Sequence, residues 1–137
     1  MLAALTSTWA LLLGVALIML GNGLQGTLLG VRASVESFDT TATGLVMTCY
    51  FIGFMLGSTA TPRVVRTVGH VRVFAAMASM ASAAVLLHAL FVSPVTWGLV
   101  RIGTGFCFAG LYVIAESWLN DRATNETRGA LLSMYMI

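Results

Sequence analysis

Residues 95–119 read VTWGLVRIGTGFCFAGLYVIAESWL, and they carry only two charged side chains, Arg101 and Glu116. A helix that crosses the hydrocarbon core of a bilayer needs about 20 mostly apolar residues. This stretch is long enough and apolar enough, so it predicts a membrane-spanning helix.

Three other stretches of the chain have the same character. Residues 6–31 and 41–61 contain no charge, and residues 73–92 contain one ionisable side chain, His88. A last apolar stretch, 129–137, has the length of only a partial span. Over the whole chain 58% of the residues are hydrophobic and 9% are charged, against about 25% charged in soluble domains. The sequence therefore predicts an all-α fold, a polytopic transmembrane helix bundle with four full spans and the start of a fifth, in a single transmembrane domain (1–137).

The connections between these spans are predicted to be short loops, at residues 32–40, 62–72, 93–94 and 120–128. Short loops join antiparallel neighbours in a bundle. The second and fourth loops together hold five of the seven arginines: Arg63, Arg66, Arg72, Arg122 and Arg128. Because cytoplasmic loops are enriched in basic residues, we expect these two loops, and with them the N-terminus, on the cytoplasmic side. We call this side of the bundle the arginine-rich end.

Small residues recur at helical spacing within the predicted spans. They include Gly53 and Gly57 in a G-x-x-x-G pattern, and the sets Gly23, Gly26, Gly30 and Gly103, Gly105, Gly110. Small residues let helix backbones approach closely in lipid. They predict packing of the bundle, and faces that slide or rock are the alternative reading.

The two charges in residues 95–119 need partners or water, because a charge inside a membrane is costly. Arg101 and Glu116 lie roughly 22 Å apart on one helix, so they cannot pair with each other. For Arg101 two readings stay open: its side chain extends to the outer interface, or it faces a cavity and binds an anionic group or a carboxylate. For Glu116 we expect an ion pair with an arginine at the inner rim, and if conformations alternate, such a pair also serves as a latch that is made in one state and broken in the other.

Polar and aromatic side chains elsewhere in the spans have both a structural and a functional reading. Asn22 and Gln25 are predicted to hydrogen-bond another helix or to line a polar cavity. His88 is interpreted as a satisfied interfacial side chain. Trp97 and Trp118 fit the aromatic belts at the two membrane interfaces.

The sequence carries no arrangement of catalytic residues. It shows no nucleophile elbow, phosphate-binding loop or metal-ligand spacing, and Cys49 and Cys107 lie apart within apolar stretches. The net charge of +2 is too small to indicate nucleic-acid binding. We therefore predict no enzyme, no metal, no cofactor and no nucleic-acid partner.

Several motifs together resemble the major facilitator superfamily of transporters. Residues 62–72, PRVVRTVGHVR, stand where that family has its G-x-x-x-D-R-x-G-R-R signature, although Pro62 replaces the first glycine and Arg66 the acidic residue. The run from Arg101 to Gly105 is similar to the family's R-x-x-x-G motif. Residues 115–121 and 123–129, AESWLND and ATNETRG, look like the YcaD-like bacterial branch.

The resemblance implies the N-terminal part of a secondary-active carrier in a bacterial inner membrane, which moves a small solute by alternating access. It implies that Asn22, Gln25 and Arg101 face the substrate cavity. It also implies a cytoplasmic gate made of Arg63, Arg66, Arg72, Glu116 and Arg128. The remaining helices of the carrier, the lipid bilayer and a small-molecule substrate would be its partners.

Under a second hypothesis, the chain has no transport activity. The chain would then be a truncated, transporter-derived subunit that packs as a structural element against other membrane subunits of a larger complex. The sequence does not give the substrate, the coupling ion or the direction of transport.

Overall fold

The computed structural model describes the backbone of residues 2–137 and the side chains of Thr6 and of residues 8–137. Every regular element in this part of the chain is an α-helix. In order they are α1 (Leu2–Val35), α2 (Thr40–Val68), α3 (His70–Leu90), α4 (Pro94–Arg122) and α5 (Arg128–Met136). The first four are long and apolar enough to cross a membrane, which confirms the predicted all-α transmembrane bundle with a fifth helix begun.

The helices begin and end where local sequence favours it. The Asp39 side chain accepts a hydrogen bond of 2.8 Å from the Ala42 backbone N–H, which satisfies one of the unpaired donors at the start of α2. Pro94 occupies the first turn of α4, where its missing N–H costs nothing. The turns before α2 and α4 are therefore only a few residues long.

The predicted loop at residues 62–72 is wrong. Helix α2 continues through Pro62 to Val68, and α3 starts at His70. The whole connection is Gly69, whose φ of 98° is a conformation that a residue without Cβ adopts readily. Apolar length measures the thickness of hydrocarbon, whereas a helix continues into water as long as its backbone bonds are satisfied.

The closest packing in the described bundle is between α2 and α4. A Cβ added to Gly53 would overlap the backbone of Ile102, and one added to Gly57 would overlap that of Phe106. On the facing helix, a Cβ added to Gly105 would overlap the Tyr50 carbonyl. These glycines are where the two backbones touch, as the G-x-x-x-G pattern predicts.

The glycines of α1 do not pack in this way. Within 4 Å of an added Cβ there is no atom at Gly23 or Gly26, and at Gly30 only the tip of Met47 at 3.8 Å. The packing prediction is therefore wrong for α1 against the helices that the structure describes. Much of the surface of α1 is open, with Leu20 70% and Leu24 62% exposed.

Helix α3 covers another side of α4. Its residues Val73, Met77 and Ala81 form one apolar cluster with Cys107, Phe108, Leu111 and Ile114 of α4 and Tyr50 of α2. Since α4 also touches α1 and α5, it is the central helix of the described bundle. The polar side chains Arg101 and Thr104 of α4 are therefore enclosed by its neighbours.

A candidate polar site inside the bundle

Arg101 is enclosed by protein in the N-terminal half of α4. Only 5% of its surface is exposed, so the reading in which its side chain extends to the outer interface is wrong. Its Nη2 lies 4.0 Å from the Met47 sulfur, while Nε and Nη1 are buried without a hydrogen-bond partner. The ion pairs of the described residues are Arg32–Glu36 and His70–Asp121, and neither includes this guanidinium.

Two tyrosines connect Arg101 to Asn22. The Arg101 guanidinium lies over the Tyr50 ring, 4.5 Å from its centre, a distance at which the negative ring face attracts a cation. The Asn22 amide donates to the Tyr50 hydroxyl at 3.1 Å and to the Tyr112 hydroxyl at 3.4 Å. The structure thus brings two of the three predicted cavity residues into one cluster across α1, α2 and α4.

The tyrosines were missed by reasoning from sequence. In an apolar stretch a tyrosine reads as a core aromatic, and Tyr50 is indeed 9% exposed. The available signal was the phenol hydroxyl, because a buried hydroxyl needs a hydrogen-bond partner. Asn22 is that partner for both rings.

Gln25, the third predicted cavity residue, lies apart from these contacts. It is 7% exposed, and neither its amide nitrogen nor its amide oxygen has a partner within the described structure. It lines a groove between α1 and α3 instead. The interpretation of Gln25 as a residue that hydrogen-bonds another helix is therefore wrong for the helices described.

His88 and Trp97 are both buried between helices, so neither side chain faces outward as a residue of an aromatic belt would. They are 4% and 1% exposed, and the Trp97 indole donates to the His88 carbonyl at 3.0 Å. The Trp97 ring also lies 5.0 Å from that of Phe38. Packing between the ends of different helices holds both side chains inside the bundle. The position of a tryptophan in the sequence does not reveal such packing.

The predicted ion pair of Glu116 is not formed among the described residues. Its carboxylate is exposed and interacts with the Tyr135 hydroxyl of α5. The proposed gate arginines Arg63, Arg66, Arg72 and Arg128 are likewise exposed.

A different contact joins the helices at the arginine-rich end. The His70 ring, at the start of α3, lies 3.0 Å from the Ser117 hydroxyl and 3.6 Å from the Asp121 carboxylate of α4.

The cluster around Arg101 is suited to binding an anion. A guanidinium with two unused donor atoms matches the geometry of a carboxylate or phosphate. The Tyr50 face and the Asn22 amide add an aromatic surface and a hydrogen-bonding group beside it. In the described structure these groups meet each other, and the Arg101 guanidinium is enclosed.

The chain is similar to bacterial transporters. It is 29% identical over 127 residues to the uncharacterized MFS-type transporter Ent638_1421 of Enterobacter sp. (strain 638). It is 28% identical over 127 residues to the uncharacterized MFS-type transporter YcaD of Escherichia coli O45:K1. Each match covers 93% of this chain and 33% of the relative, so the chain spans about a third of the length of these curated relatives.

No family model matches the chain, and no solved structure matches it significantly. The predicted resemblance to major facilitator transporters of the YcaD type is nevertheless confirmed by the relatives. Together with four apolar helices, it makes the chain a multi-pass membrane protein related to transporters.

Proposed function

We propose that the chain is part of a secondary-active carrier of the major facilitator type, which transports a small solute by alternating access. The observation that carries this proposal is the buried Arg101 guanidinium, with two donor atoms that no described residue satisfies. The names of the relatives support transport as the general activity.

A charge in this place needs a reason. Arginine at the centre of a membrane helix costs about 2.5–3.5 kcal/mol on insertion scales, and such charges mark ion or substrate pathways. Here no described carboxylate offsets the cost, since both ion pairs involve other residues. The Arg101 charge would then serve to bind an anionic substrate group, or a carboxylate that approaches it in one conformation.

The contacts around Arg101 suit a site that opens and closes. The cation–π contact to Tyr50 and the hydrogen bonds of Asn22 are individually weak, at about 1 kcal/mol each. Weak contacts across three helices break when the helices rock, and they form again when the substrate leaves. We assign Asn22, Gln25 and Arg101 to the cavity side, with Asn22 and Arg101 nearest the substrate.

The gate and the orientation belong to the same proposal. Exposed Arg63, Arg66, Arg72, Arg128 and Glu116 lie at the arginine-rich end without described ion-pair partners, so they are available to helices that approach in another conformation. We place this end, and the N-terminus, on the cytoplasmic side of a bacterial inner membrane because arginine is concentrated there.

Uptake into proteoliposomes tests the proposal. The full-length product of the gene is reconstituted, a pH gradient is imposed, and a defined mixture of small organic acids, amino acids and sugars is supplied outside. Mass spectrometry of the contents should show accumulation of at least one component above protein-free liposomes. Arg101→Ala should abolish that accumulation, because the anion loses its guanidinium.

A matched control separates loss of the site from loss of the protein. Leu20→Ala shortens a side chain that is 70% exposed on α1, and it should leave uptake within about twofold of wild type because surface changes are usually tolerated. No accumulation of any component, together with co-purification in a defined membrane complex, would instead support the structural subunit.

A further inference from the structure

A groove runs between α1 and α3 and ends against α4. Its walls are Leu24, Leu28 and Leu29 of α1 and Val85 and Ala89 of α3, and Trp97 closes one end. The groove has a volume of about 480 Å³, within the range of small-molecule sites. Leu24 and Leu28 are 62% and 55% exposed, so the groove is open at the surface of the described helices, which are apolar enough to cross a membrane.

His88 has an unused hydrogen-bond acceptor and lies beside this groove. Its Nδ1 lies 2.8 Å from the Ala84 carbonyl, and because a carbonyl only accepts, Nδ1 carries the proton. In the neutral ring Nε2 is then an acceptor. This atom is buried and has no partner, although His88 is only 4% exposed and lines the groove.

Gln25 has both an unused donor and an unused acceptor and lines the same groove. Its side chain is 93% buried, and Nε2 and Oε1 both lack partners. A buried polar group without a hydrogen bond costs about 1–3 kcal/mol. Two such residues beside one apolar groove indicate that a polar group of a bound molecule supplies their missing hydrogen bonds.

The charges around the groove favour an uncharged occupant. The one charged lining residue, Arg32, is already paired with Glu36 at 2.8 Å. A carboxylate placed at His88 would face the lone pair of Nε2, since both atoms are acceptors. A hydroxyl or an amide N–H donates to Nε2 and can also bond the Gln25 amide.

We propose that this groove binds an uncharged amphipathic molecule taken from the lipid phase, with an apolar body and a hydroxyl or amide head. The head bonds His88 and Gln25, and the body lies along Leu24, Leu28 and Val85. The site shares Gln25 with the proposed cavity but lies apart from Asn22 and Arg101, and it does not rest on transport, so either proposal can fail alone.

Quenching of Trp97 fluorescence tests the site. The full-length protein carries phenylalanine at every other tryptophan position and is reconstituted in lipid nanodiscs. The probes are 2-bromodecan-1-ol, 2-bromodecane and 2-bromodecanoate, whose bromine lies at the head that binds beside Trp97, compared at equal mole fraction in the bilayer so that partitioning cancels. Trp97 is 1% exposed, so a quencher reaches it efficiently only from within the groove.

The expected result is half-maximal quenching by the alcohol at a mole fraction about fivefold lower than for the bromoalkane, which corresponds to one net hydrogen bond. The carboxylate should quench no better than the bromoalkane. His88→Leu should remove the preference for the alcohol, and Gln25→Leu should reduce it. Both variants keep the Trp97 indole bond, because it goes to the backbone carbonyl of residue 88.

His70→Leu is the matched control, because it removes the other histidine, at the arginine-rich end, and should leave the preference unchanged. Three results would overturn the proposal. They are equal quenching by alcohol and alkane, stronger quenching by the carboxylate, and no quenching by any probe because other parts of the protein fill the groove. An unchanged Trp97 emission maximum in each variant verifies that it is folded.

Discussion

The α2–α4 interface and helix α1 both carry spaced glycines, yet they differ in what those glycines touch. At the interface, Gly53 and Gly105 lie directly against the backbone of the facing helix. Along α1, a Cβ added to Gly23 or Gly26 would meet no atom of the described helices within 4 Å, and nearby Gln25 and His88 keep unpaired polar atoms. Small residues lead to close helix packing only where a partner helix approaches. Buried polar groups without hydrogen bonds mark places where a ligand or another part of the protein can bind.

The largest effect is expected from a substitution that disrupts the α2–α4 interface. Gly53→Ala adds one methyl group where the Ile102 backbone already lies, and it should lower the free energy of unfolding by about 2–3 kcal/mol. Titration with SDS from mixed micelles measures this value. Gly23→Ala adds the same methyl in open space and should change stability by less than about 0.5 kcal/mol. Equal losses in the two variants would show that α1 and α2 are packed alike.

A smaller effect is expected where α1 meets the interface. Asn22→Leu removes the hydrogen bonds to Tyr50 and Tyr112 and should cost about 0.6–1.7 kcal/mol, the usual range for interhelical bonds in membranes. The same SDS titration applies. Thr27→Val, which loses only a bond to the Gly23 carbonyl of its own helix, should have no measurable effect. A loss above about 3 kcal/mol would mean that α1 is as firmly docked as α2.

The smallest effect is expected at the arginine-rich end. His70→Phe removes the contacts to Ser117 and Asp121, which lie at the exposed edge of the bundle and should contribute about 0.5 kcal/mol or less. Thr67→Val, which touches only its own helix, serves as the reference. A loss larger than that of Asn22→Leu would reverse the ranking of the two regions.

The comparison also explains what could be read from the sequence. The lengths of the apolar stretches predicted the four long helices, because the thickness of the bilayer sets the length of a span. The spacing of Gly53 and Gly57 predicted one interface, because close approach of two helix backbones requires small residues. The ends of the helices were not predictable in this way. Residues 62–68 carry arginine and proline and look like a loop, yet helix hydrogen bonds continue past the apolar stretch.

The polar site was predictable only in part. Arg101 and Asn22 stand out because charged and amide side chains are rare inside membrane helices. The burial of Trp97 and His88, the contribution of Tyr50 and the separate position of Gln25 depend on which helices meet. That information lies in tertiary packing between distant parts of the chain, and no spacing along one helix contains it.

The most direct test of the account is the free energy of unfolding of Arg101→Met, measured by SDS titration beside the wild type. In this account the Arg101 charge is kept for binding and does not hold the bundle together. Replacing a buried, unpaired charge by an apolar side chain of similar length should leave stability unchanged or raise it by up to about 2 kcal/mol. A fall of about 2 kcal/mol or more would show that Arg101 is a structural residue and would contradict the account.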